Sequence, residues 1–128
     1  MATRMLLTAV LIAAAPAARA AAPVKVTSVE EKGGKLFIHA TAKPEFTVFK
    51  LSGPPRVVID LNEGDVSAAV QGGESAGHHS IHRAGIAGWS AAQFDERGVR
   101  VGRIVVALEG DQKYDVAVEG SDLVLSVG

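Results

Sequence analysis

From Val24 onward the chain alternates apolar and polar side chains in short runs, and turn-forming residues separate the runs. Period-two alternation is the mark of half-buried β-strands, because successive side chains leave a strand on opposite faces. In Arg56 to Leu61, Val57, Ile59 and Leu61 share one face, while Arg56, Val58 and Asp60 share the other. In Lys35 to Ala42, Leu36, Ile38 and Ala40 stand against Lys35, His39 and Thr41. Arg103 to Leu108 sets Ile104, Val106 and Leu108 together. Further on, Tyr114, Val116 and Val118 alternate with Asp115 and Glu119, and Leu123, Leu125 and Val127 follow the turn Gly120-Ser121. A slip of one residue in that last hairpin would turn its whole apolar row to water, so its register is well specified. Val24 to Val29 and Phe46 to Leu51 complete the regular strands, and Lys32-Gly33-Gly34 supplies a hairpin turn between the first two.

Two stretches are less regular. Asn62 to Ser80 is rich in Gly, Ala and Ser and too long for a hairpin, so it should cross between sheets or edges, with a helical turn over Val66 to Val70. Ile81 to Phe94 reads as one long irregular strand or two short ones, broken by Gly85 and Gly88. An internal echo links the halves: Arg56-Val-Val-Ile-Asp-Leu and Arg103-Ile-Val-Val-Ala-Leu align at a separation of 47 residues. The pattern predicts an all-β fold, a β-sandwich built from two related halves with two small sheets and about eight strands.

Composition separates the N-terminus from the rest. Residues 1–20 hold 15 apolar side chains and two charges, Arg4 and Arg19. Arg4, the apolar run from Met5 to Ala15 and the small-residue site Ala18-Arg19-Ala20 predict a cleaved secretory signal peptide, leaving one domain over 21–128. The remaining 108 residues carry eleven basic and fourteen acidic side chains, a net charge of −3. They include 16 valines against six leucines, which favours strands. There is no cysteine for a disulfide framework or a lipidated N-terminus, and no later segment is apolar enough to span a membrane. An acidic balance argues against nucleic acid as a partner.

Phe46-Thr-Val-Phe-Lys-Leu-Ser-Gly-Pro-Pro-Arg-Val-Val-Ile-Asp-Leu61 resembles the signature of the AMIN domain, a strand ending in Leu, a Pro-Arg turn and a strand closing in Ile-Asp-Leu. Gln93-Phe94, Arg103 to Leu108, Tyr114-Asp-Val and Leu123-Val-Leu resemble the closing section of that family, so the likeness runs through the mature chain. Such domains precede periplasmic N-acetylmuramoyl-L-alanine amidases and form the N-termini of type IV pilus secretins. The resemblance implies a sandwich of two related sheets that holds a protein to peptidoglycan in the periplasm. It carries Arg56 and Asp60 over as candidate ligand-binding residues, and Arg103 through the echo; Ala107 stands where an acid is usual.

The residues themselves support binding better than catalysis. A guanidinium at Arg56 suits the carboxylates of wall peptides, and Asp60 could accept from sugar hydroxyls or amides. Paired with each other, the two would be an ordinary surface ion pair. Trp89, the only tryptophan, is either a sugar-stacking ring, with Tyr114 or Phe49 assisting, or a core residue. Gln93 and Phe94 are expected to be structural. His78, His79 and His82 cluster, yet no cysteine or well-placed carboxylate completes a zinc set, and Ser80 beside them is not a nucleophile elbow. The expectation is a non-catalytic peptidoglycan-binding domain without cofactor or metal. The alternative is a protein–protein adaptor docking onto a secretin or another envelope assembly by strand addition. Because the last strand ends beside Gly128, the module is expected to act alone or to be a cut-down relative of a secretin.

Overall fold

In the computed structural model, residues 23–71 and 78–128 are described, and they form ten strands and one short helix. The segment read as a signal peptide lies outside the described residues. Strands β1 (Val24–Lys32) and β2 (Lys35–Ala40) form the first hairpin, turning at Gly33 and Gly34, where φ is 60° and 82°. Strands β3 (Glu45–Leu51) and β4 (Arg56–Asn62) form the second. A two-residue strand β5 (Gly64–Asp65) and helix α1 (Ser67–Gln71) begin the crossing that the sequence predicts. The irregular stretch divides into β6 (His78–Arg83) and the long β7 (Ile86–Glu96), with the break at Ala84-Gly85 and a bulge between Ile86 and Gly88. Strand β8 (Val99–Leu108) begins four residues before the run visible in the sequence, and β9 (Tyr114–Glu119) and β10 (Asp122–Val127) close the chain.

The strands make two five-stranded sheets, ordered β5-β1-β2-β10-β9 and β3-β4-β8-β7-β6. Every pairing is antiparallel except that of β5 with β1. The apolar rows meet between the sheets. Leu36, Ile38, Leu123 and Leu125 come from the first sheet and Val57, Ile59, Ile104 and Val106 from the second, all at 0% exposure in one cluster. Each row comes from period-two alternation, so the same arithmetic that fills the core leaves the intervening residues on the outer faces.

The two halves do not segregate into separate sheets. Hairpin β1–β2 lies beside β9–β10, and β3–β4 beside β7–β8. A lone hairpin leaves two unpaired edges, and setting each hairpin against its counterpart removes one edge from both. The echoing strands β4 and β8 are therefore direct neighbours, with Val58 opposite Val105. A local two-fold axis through that pair carries each β4 residue onto the one 47 positions later: Arg56 onto Arg103, Asp60 onto Ala107.

Local polar contacts fasten the ends. Asp65 accepts from the Ser67 amide at 2.9 Å and its hydroxyl at 2.6 Å, which holds its carboxyl below the ordinary range and satisfies a donor at the start of α1. Gln93 ties β7 to the segment around β5, accepting from the Val66 amide at 2.7 Å and donating to the Gly64 carbonyl at 2.8 Å. Gly102 admits this close crossing, since a Cβ there would lie 2.8 Å from Val66 Cγ1. On the outer face of the first sheet, His39 of β2 reaches Glu30 of β1 at 2.8 Å and Asp122 of β10 at 3.1 Å. The hydrogen bond to Glu30 chiefly raises its pKa, burial opposes the rise, and the hydrogen bond and charge of Asp122 add to it.

Two outcomes follow. Ile59→Ala, at a fully buried position, should lower stability by about 2–5 kcal/mol in urea unfolding. The pKa of His39 is higher folded than unfolded, so its stabilisation is complete below the ordinary value of 6.5 and is lost as pH rises through the raised value. The urea midpoint should therefore decline across that window, and His39→Gln should flatten the decline.

Candidate functional site

The outer face of the β3-β4-β8-β7-β6 sheet collects the residues that alternation turns away from the core. Its cross-strand rows follow from the register. Phe49, Val58, Val105, Ser90 and His78 lie side by side, one from each strand. One row away, Thr47, Asp60, Arg103 and Ala92 lie abreast. On the other side of the Val58 row come Leu51, Arg56, Ala107, Gly88 and Ser80. Gly88 is required here because a Cβ would meet the His79 carbonyl oxygen at 2.5 Å, so β6 and β7 can approach closely only without a side chain.

Asp60 and Arg103 form the best-organised polar contact on this face. Arg103 Nε donates to Asp60 Oδ1 at 2.7 Å and Nη2 to Oδ2 at 2.9 Å, the two-pronged geometry a guanidinium offers a carboxylate. The carboxylate raises the arginine pKa further. Phe94 lies against the guanidinium with 5.3 Å between Arg103 Cζ and the ring centroid, and the ring is 48% exposed. Beside the pair, Glu45, Thr47, Asp60, Asn62 and Val101 line a shallow groove of about 440 Å³. A second groove of about 350 Å³ lies on the far side of the Val58 row, with Arg56, His78, Ser80, His82 and Ala107 in its lining.

Of the residues singled out from the sequence, Asp60 and Arg103 are brought into contact, while Arg56 stands apart. Asp60 and Arg56 share the outward face but not an ion pair; Arg56 Nη1 donates to the Pro54 carbonyl at 2.8 Å and the Ser52 carbonyl at 3.5 Å. Trp89 belongs to the buried core cluster at 6% exposure. Its ring stacks on His79 with centroids 3.7 Å apart, and His79 Nε2 donates to the Ala69 carbonyl of α1 at 3.2 Å. Tyr114 packs against the core from the other sheet, and Phe49 lies on the outer face, 39% exposed. The histidines diverge: His79 turns to Trp89, and His82 meets Glu109 at 3.2 Å. Among the described residues no three His or acidic side chains are gathered as a metal site.

Phe94, expected to be structural, stands on the outer face against Arg103. Its parity signals it, since Trp89 and Ala91 face inward and Phe94 therefore faces out. The Asp60–Arg103 pairing is set by the register of β4 on β8, which places residue 60 opposite 103 and which the echo alone does not fix.

Two packed sheets, almost entirely antiparallel, define an all-β sandwich. The family model of the AMIN domain matches residues 23–127, and the chain belongs to that family. AMIN is a non-catalytic domain family known from peptidoglycan-associated periplasmic proteins. No curated protein matches the chain. Among the described residues no helix is long and apolar enough to cross a membrane.

Solvent reaches both members of the Asp60–Arg103 pair, so its share of stability should be small. A double-mutant cycle with Asp60→Ala and Arg103→Ala, read by urea unfolding, should give a coupling of about 0.5–1 kcal/mol that shrinks as salt is added.

Proposed function

We propose that this chain is a non-catalytic periplasmic module that binds peptidoglycan through the outer face of the β3-β4-β8-β7-β6 sheet, in the setting of an amidase or a type IV pilus secretin. The observation that carries the reading is the Asp60–Arg103 pair with the exposed Phe94 ring against it. A planar apolar ring suits the apolar face of a sugar, while a neighbouring carboxylate and guanidinium offer an acceptor and donors for hydroxyl and amide groups. The adjoining groove continues this chemistry with Glu45, Thr47 and Asn62. Both the chain and the wall carry negative charge, so attraction between these groups must come from local geometry rather than from net charge. Arg56 extends the face on its other side, and Trp89 supports it from within the core.

A second reading rests on a different observation. Strand β3 is an edge of its sheet and carries Phe49 and Leu51 at 39% and 38% exposure. An unpaired edge with apolar side chains suits strand addition by a protein segment, which would make the chain an adaptor within an envelope assembly.

Co-sedimentation of the purified protein with isolated sacculi tests the first reading. Pelleting at modest salt is expected, with a marked loss in Phe94→Ala and in the Asp60→Ala, Arg103→Ala double variant. Absence of pelleting by the unaltered protein would overturn wall binding and leave the adaptor reading standing.

A further inference from the structure

The two-fold relation between β4 and β8 is broken at one polar position, where Ala107 rather than a carboxylate stands opposite Arg56. The axis through Val58 and Val105 carries the contact between Asp60 and Arg103 onto the positions of Ala107 and Arg56. Arg103 grips Asp60 with its Nε and Nη2 edge. Arg56 uses only Nη1, toward the carbonyls of Pro54 and Ser52, and among the described residues its Nε and Nη2 edge has no partner and its side chain no ion pair. The space opposite is lined by the exposed Ala107 and by Gly88, where the related site carries Asp60 and Thr47. The surrounding groove of about 350 Å³ brings Arg56 together with imidazoles, including those of His78 and His82, and has no acidic side chain in its described lining.

We infer that this groove is a carboxylate-binding site, in which an external carboxylate takes the two-pronged position on Arg56 that Asp60 takes on Arg103. The chain itself contains the template for the contact, at 2.7 and 2.9 Å. The described lining offers a guanidinium and imidazoles and no acid, with His82 Nδ1 itself meeting Glu109 from outside the lining at 3.2 Å, and such a lining favours an anion even on a protein whose net charge is negative. A planar, doubly accepting anion fits a guanidinium edge better than a neutral sugar does. The groove is shallow and open, so the ligand is a carboxylate at the end of a short chain or on a sugar substituent. The assignment deepens the wall-binding reading and rests on it for the two sources of carboxylate: a peptide C-terminus, or the lactyl group of an acidic amino sugar.

The test is an NMR titration of the purified protein, following backbone amides and arginine Nε–H groups. N-acetyl-D-alanyl-D-alanine, the same dipeptide as its C-terminal amide, and N-acetylmuramic acid are the probes. A carboxylate probe is expected to shift Arg56 Nε–H and the amides of Ser80 and Ala107, and the amide probe to leave them unmoved. Whichever acid binds more tightly identifies the source. Arg56→Gln should weaken the bound acid by roughly tenfold or more, the loss of one charged contact. Ala107→Asp supplies the missing acid from within. It should abolish acid binding while leaving the urea midpoint unchanged or higher, which separates a filled site from a damaged fold. Equal binding of acid and amide, or acid binding that survives both substitutions, would overturn the site. Sacculus pelleting without acid binding would also overturn it and leave the wall-binding reading intact. Acid binding without pelleting would support the site and overturn wall binding.

Discussion

The ladder between β4 and β8 is the interaction on which the rest of the molecule depends. These are central strands of their sheet, each paired on both sides. Their inward residues, Val57, Ile59, Leu61, Ile104, Val106 and Leu108, form much of one wall of the core. Their outward residues supply both members of the Asp60–Arg103 contact as well as Arg56. Register here fixes everything downstream, because a shift of one residue would exchange the two sets and put two arginines and an aspartate between the sheets. The cost of burying unpaired charge makes that alternative inaccessible. The site therefore owes its geometry to core packing, and the small energy of the ion pair itself is not what holds it in place.

Much of this was legible in the sequence because one signal, period two, encodes strand identity and facing at once. It gave the inward rows of β2, β4, β8 and β10 and placed Arg56 and Asp60 on a common outer face; of the β9 row, Tyr114 and Val116 pack against the core while Val118 is exposed. What stayed out of reach concerns partners across strands. Nothing local in Arg56 to Leu61 shows that Asp60 turns to Arg103, 43 residues away, rather than to Arg56, four residues away. The alternation of β7 could have shown Phe94 facing out, but the glycines and the bulge at Ile86–Gly88 blurred that strand's phase. Strand β5 was invisible for another reason: two residues are too few to show any period. Trp89 remained open between core and surface because a single aromatic residue carries no periodicity of its own, and its position against His79 depends on a strand pairing.

The two sheets differ in how their outer faces are used. On the β5-β1-β2-β10-β9 sheet, His39 spans Glu30 and Asp122, and the polar groups answer one another across three strands. On the β3-β4-β8-β7-β6 sheet, apolar surface at Phe49, Leu51 and Phe94 is left exposed beside charged groups. Val99 adds a fourth exposed apolar side chain to this sheet, whereas the other sheet exposes Val118 on its edge strand β9.

The stack of Trp89 on His79 has a practical side. The chain has one tryptophan, and its indole lies 3.7 Å from an imidazole that is itself fastened to α1. Its near-ultraviolet emission is therefore a local reporter, set by the seam where the edge strand β6, its neighbour β7 and the short helix meet. Loosening of β6 would separate the rings and change the emission while the β4–β8 ladder stayed paired. A fluorescence melt of this protein would follow the fraying of one margin, whereas circular dichroism would follow the sheets as a whole, and a gap between the two transitions would measure how independently that margin moves.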